Sequence, residues 1–159
     1  MKIRFATMED IPVFVEIGSR FHAISRFANY DYNAQRVADS LRSIIGKGQD
    51  DQGTHCFFVA ENSEGEAVGA LIGCVEKHLF SEQSVASVIQ YGVLPEKRMG
   101  GAGMKLLAAF RKWAENRNAF ELSIGVTSGM DMAKTDRLLR RLGFQQTGGN
   151  YSLSISNDG

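Results

Sequence analysis

The segment Val93-Leu94-Pro95-Glu96-Lys97-Arg98-Met99-Gly100-Gly101-Ala102-Gly103-Met104 combines a glycine cluster with two adjacent cations. An apolar, strand-like pattern ends there, glycines turn the chain, and a helical pattern opens. The first amides of a helix lack intrahelical acceptors and carry the positive end of its dipole. Small residues let a phosphate group approach those amides, so the turn can cradle an anion, with Lys97 and Arg98 adding charge at its mouth. It is not a P-loop, because no Gly-Lys-Ser/Thr closes it, although Lys105 follows closely. It also lacks the G-x-G-x-x-G spacing of a dinucleotide fingerprint. Taken alone, the residues leave open a glycine-rich connection that holds no ligand.

The elements around this turn must position it. The chain has 159 residues, the size of one domain spanning 1–159, and its 43% apolar content is enough to build a core. With 18 Lys+Arg against 18 Asp+Glu, the formal net charge is zero, which argues against a sequence-independent nucleic-acid binder. The apolar run Ala67–Val75 falls far short of the roughly 20 residues that a bilayer span needs. No signal-peptide core follows Met1–Phe5, so a cytoplasmic location is expected. Cys56 and Cys74 lie inside apolar runs and read as small buried hydrophobes, not as nucleophiles or a disulfide framework. Three histidines and two cysteines, of which only His55 and Cys56 are neighbours, form no zinc-ligand spacing, so a metal site is not the expected reading.

Hydrophobic spacing supplies the elements. Ile3-Arg4-Phe5 is a strand. Thr7-Met8-Glu9-Asp10 is a helix-start box before the face Ile11, Phe14, Val15, Gly18, Phe21 and His22. Val37, Leu41, Ile44 and Ile45 mark a second helix. Cys56–Ala60, Ala67–Phe80 and Val85–Val93 read as an antiparallel meander. A third helix carries Gly103, Leu106, Leu107, Phe110, Trp113 and Ala114 on one face. The strand Phe120–Val126, a fourth helix face at Thr135, Leu138, Leu139 and Leu142, and an alternating final strand Tyr151–Ile155 complete the chain. The order β-α-α-β-β-β-α-β-α-β predicts an α/β (α+β) fold with a mixed, mostly antiparallel sheet and helices on both faces.

The spacing Arg98-x-x-Gly101-x-Gly103, preceded by Val93-x-Pro95, resembles the coenzyme A motif of the GCN5-related N-acetyltransferase (GNAT) superfamily. Asp10-Ile11-Pro12 and Leu142-Gly143-Phe144 are also similar to that family, and so is the element order over nearly the whole chain. The likeness is to its small single-domain bacterial and phage members. It implies direct transfer of an acetyl group from acetyl-CoA to a primary amine of a small molecule or peptide, with no metal. Backbone groups of Tyr91 and Val93 would pair with the pantetheine arm where the strand splays from its parallel neighbour. Arg98 and the amides of Met99, Gly100, Gly101, Ala102, Gly103 and Met104 would hold the diphosphate. The helix-loop-helix bearing His22, Arg26 and Tyr30 would form an acceptor rim.

The catalytic groups depart from the family pattern. A tyrosine that the family often places four residues before its Gly-Phe pair is Leu139 here, an asparagine in the same pattern is Met132, and the glutamate base of histone-modifying members falls at Ser87. A geometric substitute is available. If Ser81–Ser84 is a four-residue hairpin loop, Phe80 pairs with Val85 and His78 lies opposite Ser87, sharing its face. His78, whose imidazole is a side-chain type suited to proton transfer, is then the expected proton-transfer group. A coenzyme A-binding or acyl-CoA-sensing module with little catalysis is the alternative, favoured by Leu139 and Ser87. Exposed edge strands are compatible with a homodimer.

Overall fold

The computed structural model describes residues 1–47, 53–126, 128 and 131–155. Five strands form one sheet in the order β1-β2-β3-β4-β5: β1 Lys2–Phe5, β2 His55–Glu61, β3 Ala67–Lys77, β4 Ser84–Val93 and β5 Glu121–Ile124. All neighbouring pairs are antiparallel except β4 and β5. The helices are α1 Ile11–Ile24, α2 Ala34–Gly46, α3 Ala102–Glu115 and α4 Met132–Arg141. Contacts divide the chain into two compact units. Met1–Ile17 with Asn33–Gly125 forms one, and Gly18–Tyr32 with Val126–Gly159 the other.

The sheet and α3 belong to the first unit. The expected apolar face of α3 is the buried one, with Leu106, Leu107, Phe110, Trp113 and Ala114 all nearly inaccessible. Phe110 packs where a side chain on Gly73 of β3 would lie, so α3 covers the face that bears Leu71 and Gly73. Phe57 is paired with Ile72 and points the other way, meeting the ring of Phe14 on α1 edge-on at 5.3 Å. Helices therefore cover both faces of the sheet. Among the described residues, no helix is long and apolar enough to cross a membrane.

The helix start near Asp10 works through its carboxylate. The Thr7 amide donates to Asp10 Oδ2 at 2.7 Å, and a short 3₁₀ turn, Met8–Asp10, leads into α1. Arg4 on β1 donates to both oxygens of Asp10 at 2.8 and 2.9 Å, and through Nε to Glu61 on β2 at 2.6 Å. One guanidinium thus ties β1, β2 and the entry to α1 together, with its charge-assisted bonds largely shielded from water. The Arg4 hydrogen bonds hold the Asp10 carboxyl below its ordinary 3.8 against the opposing effect of burial, and the Thr7 amide adds to the lowering.

This stabilisation is complete above the unfolded value of 3.8 and is lost as pH falls through the lower folded value. Asp10→Ala would leave Arg4 half-paired and the Thr7 amide without its acceptor, at a cost of about 2–3 kcal/mol. Urea unfolding should show that loss at pH 7 and a smaller difference from the wild type in strong acid. A constant difference across that range would refute this account of Asp10.

One of the expected elements needs correction. Tyr151–Ile155 forms no strand, and Tyr151, Leu153 and Ile155 are 98%, 85% and 88% exposed. Alternation makes a half-buried strand only when a neighbouring backbone completes a ladder, and no described residue pairs with this segment. In the second unit α4 forms as expected, although it buries no residue fully. Thr135, Leu138, Leu139 and Leu142 make up only its less exposed side.

Candidate functional site

The β4–β5 ladder is short. Its pairs run from Val85↔Glu121 through Ser87↔Ser123 to Val88↔Ile124, and there it stops. On its other side, β4 stays paired with β3 to the end, but the register jumps between Gly73↔Val88 and Ile72↔Gln90. Ile89 is therefore an extra residue, a bulge at the point where β5 leaves. Bulges re-aim a strand and end its pairing. Beyond it, Gln90–Val93 form a strand with a partner on one side only among the described residues.

The direction of the free groups follows from one bond. The Leu94 amide donates to Val68 O at 2.9 Å across β3. Hydrogen-bonding direction alternates along a strand, so Gly92 also faces β3, while Tyr91 and Val93 present their backbone groups to the open edge. Arg98 Nε donates to Val93 O at 3.3 Å. The Tyr91 N–H, the Tyr91 carbonyl and the Val93 N–H are left for an extended ligand.

The turn after β4 leads directly into a second set of donors. Pro95–Gly100 is a 3₁₀ helix, and Gly101 follows at φ 77°. That left-handed conformation is open to glycine and strained for residues with a Cβ. The first intrahelical bond of α3 runs from the Lys105 amide to Gly101 O at 3.2 Å. The amides of Ala102, Gly103 and Met104 precede it, so no carbonyl one turn back accepts them. Within the preceding turn, i+3 to i pairing engages the amides of Arg98, Met99 and Gly100. The strongest donors for an anion are thus the three at the start of α3. Gly103 is needed for space: a Cβ there would lie 2.6 Å from the Tyr91 hydroxyl.

The loop between β3 and β4 differs from expectation, and His78 with it. Lys77 pairs with Ser84, and the loop His78–Gln83 is closed by the His78 amide donating to Gln83 O at 2.8 Å. Cys74, not His78, lies opposite Ser87, and Glu76 lies opposite Val85. The His78 ring serves the loop: Nδ1 accepts the Phe80 amide at 3.1 Å, and the Phe80 ring packs 5.4 Å away. Local hydrogen bonds made a longer loop than the four residues expected and displaced the register.

The row that does include Ser87 runs His55, Cys74, Ser87, Ser123 across β2 to β5, on the face away from α3. Burial, reinforced by Lys47, keeps the His55 pKa below its ordinary 6.5. Burial raises both thiols, that of Cys56 to about 12, so neither is a ready nucleophile. Glu76 and Glu121, on the same face, flank Val85. The sequence singled out neither His55 nor Ser123; only the observed register unites them. Among the described residues, no group of three or more His, Cys, Asp or Glu side chains could hold a metal ion.

In the second unit, His22 and Tyr30 come together, and Arg26 lies over the neighbouring Phe27 ring. His22 Nε2 lies 2.6 Å from the Tyr30 carbonyl oxygen and so donates to it. The Arg26 guanidinium lies 4.6 Å from the centre of the Phe27 ring, which is 6.1 Å from that of Tyr30. Tyr30 is 65% exposed.

A family model described as the acetyltransferase (GNAT) family matches residues 21–144. The chain belongs to the GNAT family. Solved structures agree at the level of the fold. An aminoglycoside 6'-N-acetyltransferase from Acinetobacter haemolyticus, in its apo form, superposes with a TM-score of 0.71 at 18% identity, covering 99% of this chain and 100% of the other. Glucosamine-6-phosphate N-acetyltransferase from Arabidopsis thaliana gives 0.74 at 13% identity and covers 98% of each chain. AAC(6')-Iy, in complex with a bisubstrate analogue, CoA-S-monomethyl-acetylneamine, gives 0.74 at 15% identity, covering 98% and 97%. No curated protein matches the sequence. For this GNAT chain the interrupted β4–β5 ladder and the glycine turn are continuous along the backbone, because the open edge of β4 runs straight into the turn.

Proposed function

We propose that the chain is an acetyl-CoA-dependent N-acetyltransferase acting on a primary amine of a small molecule or peptide. One observation carries the reading. The backbone edge freed at Ile89 is continuous with the free amides at Ala102–Met104, so a single extended ligand with amides at one end and a diphosphate further on meets donors of the right kind in the right order. The pantetheine arm would lie along Tyr91 and Val93. The diphosphate would lie over Gly101–Met104, where the small residues and the left-handed turn keep the approach open.

Acetyl-CoA supplies an activated acyl group. The amine nitrogen bonds to the acyl carbon, the carbon–sulfur bond breaks, and one proton passes overall from nitrogen to sulfur. The chain's part is to hold the thioester at the mouth of the opening beside Ser87 and Ser123 and to keep water off the strand edge. His22, Arg26 and Tyr30 are proposed as an acceptor rim, supported by the His22–Tyr30 hydrogen bond, the place of Arg26 over the Phe27 ring and the exposure of Tyr30. The relatives named for aminoglycosides and glucosamine 6-phosphate suggest amino sugars as the first acceptors to try.

A second reading has its own support. Leu139 and Ser87 provide neither acid nor base, and His78 is occupied in its loop, which suits a module that binds acyl-CoA without turning it over. Calorimetry with acetyl-CoA, followed by thiol release in the presence of an aminoglycoside, an amino sugar phosphate and a short peptide, separates the readings. Micromolar binding with amine-dependent thiol release is the expected result. Binding without release under any amine would favour the sensing module, and no binding at millimolar acetyl-CoA would overturn both.

A further inference from the structure

The phenol of Tyr91 sits where its backbone role alone does not require it. The hydroxyl occupies the space that a Cβ on Gly103 would fill, 2.6 Å from that position, with Tyr91 Cζ at 3.7 Å. Side chains on an α-helix lean toward its N-terminus. A group in the Cβ space of Gly103 therefore lies on the side of α3 from which the free amides of Ala102, Gly103 and Met104 project. Tyr91 is half-buried, and its hydroxyl has no hydrogen-bond partner among the described residues. A shielded phenol normally finds a partner. Burial pushes its pKa up to about 12, so it keeps its proton at neutral pH and acts only as a donor toward an anion.

We propose that the Tyr91 hydroxyl is a fourth donor to the diphosphate of coenzyme A, supplied by the same residue whose backbone meets the pantetheine arm. The inference rests on the acetyl-CoA reading above. It assigns Tyr91 two jobs on two parts of one ligand. Its peptide groups align the arm, and its ring reaches across to the start of α3 and fixes where the phosphates sit relative to the strand edge. It also gives Gly103 a role: a larger residue would expel the hydroxyl from the cradle.

The test is Tyr91→Phe, measured by calorimetry against coenzyme A and against S-acetylpantetheine, which has the amides and the thioester but no phosphate. A hydrogen bond to a charged acceptor predicts roughly ten- to hundredfold weaker coenzyme A binding and unchanged affinity for the phosphate-free probe. Gly103→Ala should weaken coenzyme A binding to a similar degree, and adding Tyr91→Phe to it should cause little further loss while restoring the melting temperature, because the added methyl then meets no hydroxyl. Equal binding of coenzyme A by Tyr91→Phe and wild type would overturn the proposal, as would an equal loss for both probes, which would place the effect in the strand. A wild-type chain that binds neither probe would overturn the acetyl-CoA reading itself.

Discussion

Gly73→Ala is expected to destabilise the protein by about 3 kcal/mol, at the upper end of what one added methyl costs in a packed core. A Cβ at Gly73 would lie 2.9 Å from Phe110 Cζ and 3.0 Å from Cδ2, with Cε2 nearer still. Relief would require the ring to move, and it has nowhere to go. Phe110 is wholly buried and stacks on Trp113 at 5.8 Å between ring centres. Trp113 is itself covered by the Arg117 guanidinium, 4.0 Å from its ring centre, which is tied to Gly53 O at 2.8 Å. The strand cannot yield cheaply either, because Gly73 is paired with Cys56 on one side and Val88 on the other, the last pair before the bulge. The functional consequence follows from that position. Strain at Gly73 bears on the place where β4 parts from β5, so any folded remainder of the variant should also bind acetyl-CoA less well. Urea unfolding with an unchanged slope measures the first effect. A loss below about 0.5 kcal/mol would show that the Phe110 ring has room to shift, and would remove the argument that α3 is locked onto the sheet.

The parts of the site that need glycine were legible in the sequence, because only backbone demands explain them. Gly101 takes a left-handed turn and Gly103 yields space to Tyr91, so the Arg98-x-x-Gly101-x-Gly103 spacing carries geometry directly. The buried face of α3 was legible for the same kind of reason, since helical spacing and burial are one constraint. Register was not. It depends on how many residues the β3–β4 loop consumes, and that is decided by bonds such as Phe80 N–H to His78 Nδ1, which alternation of apolar residues does not report. Up to Val88 the shift kept each residue on its expected face but replaced His78 with Cys74 beside Ser87, and beyond the bulge it turned Gln90–Val93 to the other face relative to β3. The bulge at Ile89 is invisible for a related reason: an extra residue in one strand shows only against its partner. The Tyr151–Ile155 pattern failed because a strand's existence depends on an available neighbour as well as on its own alternation.

Replacing Gly101 with valine should weaken acetyl-CoA binding by roughly 30- to 150-fold, whereas asparagine at the same position should cost only a few-fold. At φ 77° and ψ 10°, a β-branched side chain is strained by about 2–3 kcal/mol, and asparagine tolerates that region far better. The surroundings do not decide the outcome, because nothing lies within 4 Å of a Cβ placed there. A valine chain would relax the turn to escape the strain, moving the carbonyl that receives the Lys105 amide and with it the first turn of α3. Ligand binding must then pull the turn back, and the energy needed to do so is subtracted from the affinity. Overall stability should fall by less than the binding energy does, since the relaxed turn is exposed and leaves Leu106 and Phe110 in place. Calorimetry on the two variants, with urea unfolding as the control, checks both halves. Equal affinities for valine, asparagine and glycine at this position would mean that the left-handed turn has no part in holding the phosphates, and the donor set at Ala102–Met104 would have to be assigned to helix formation alone.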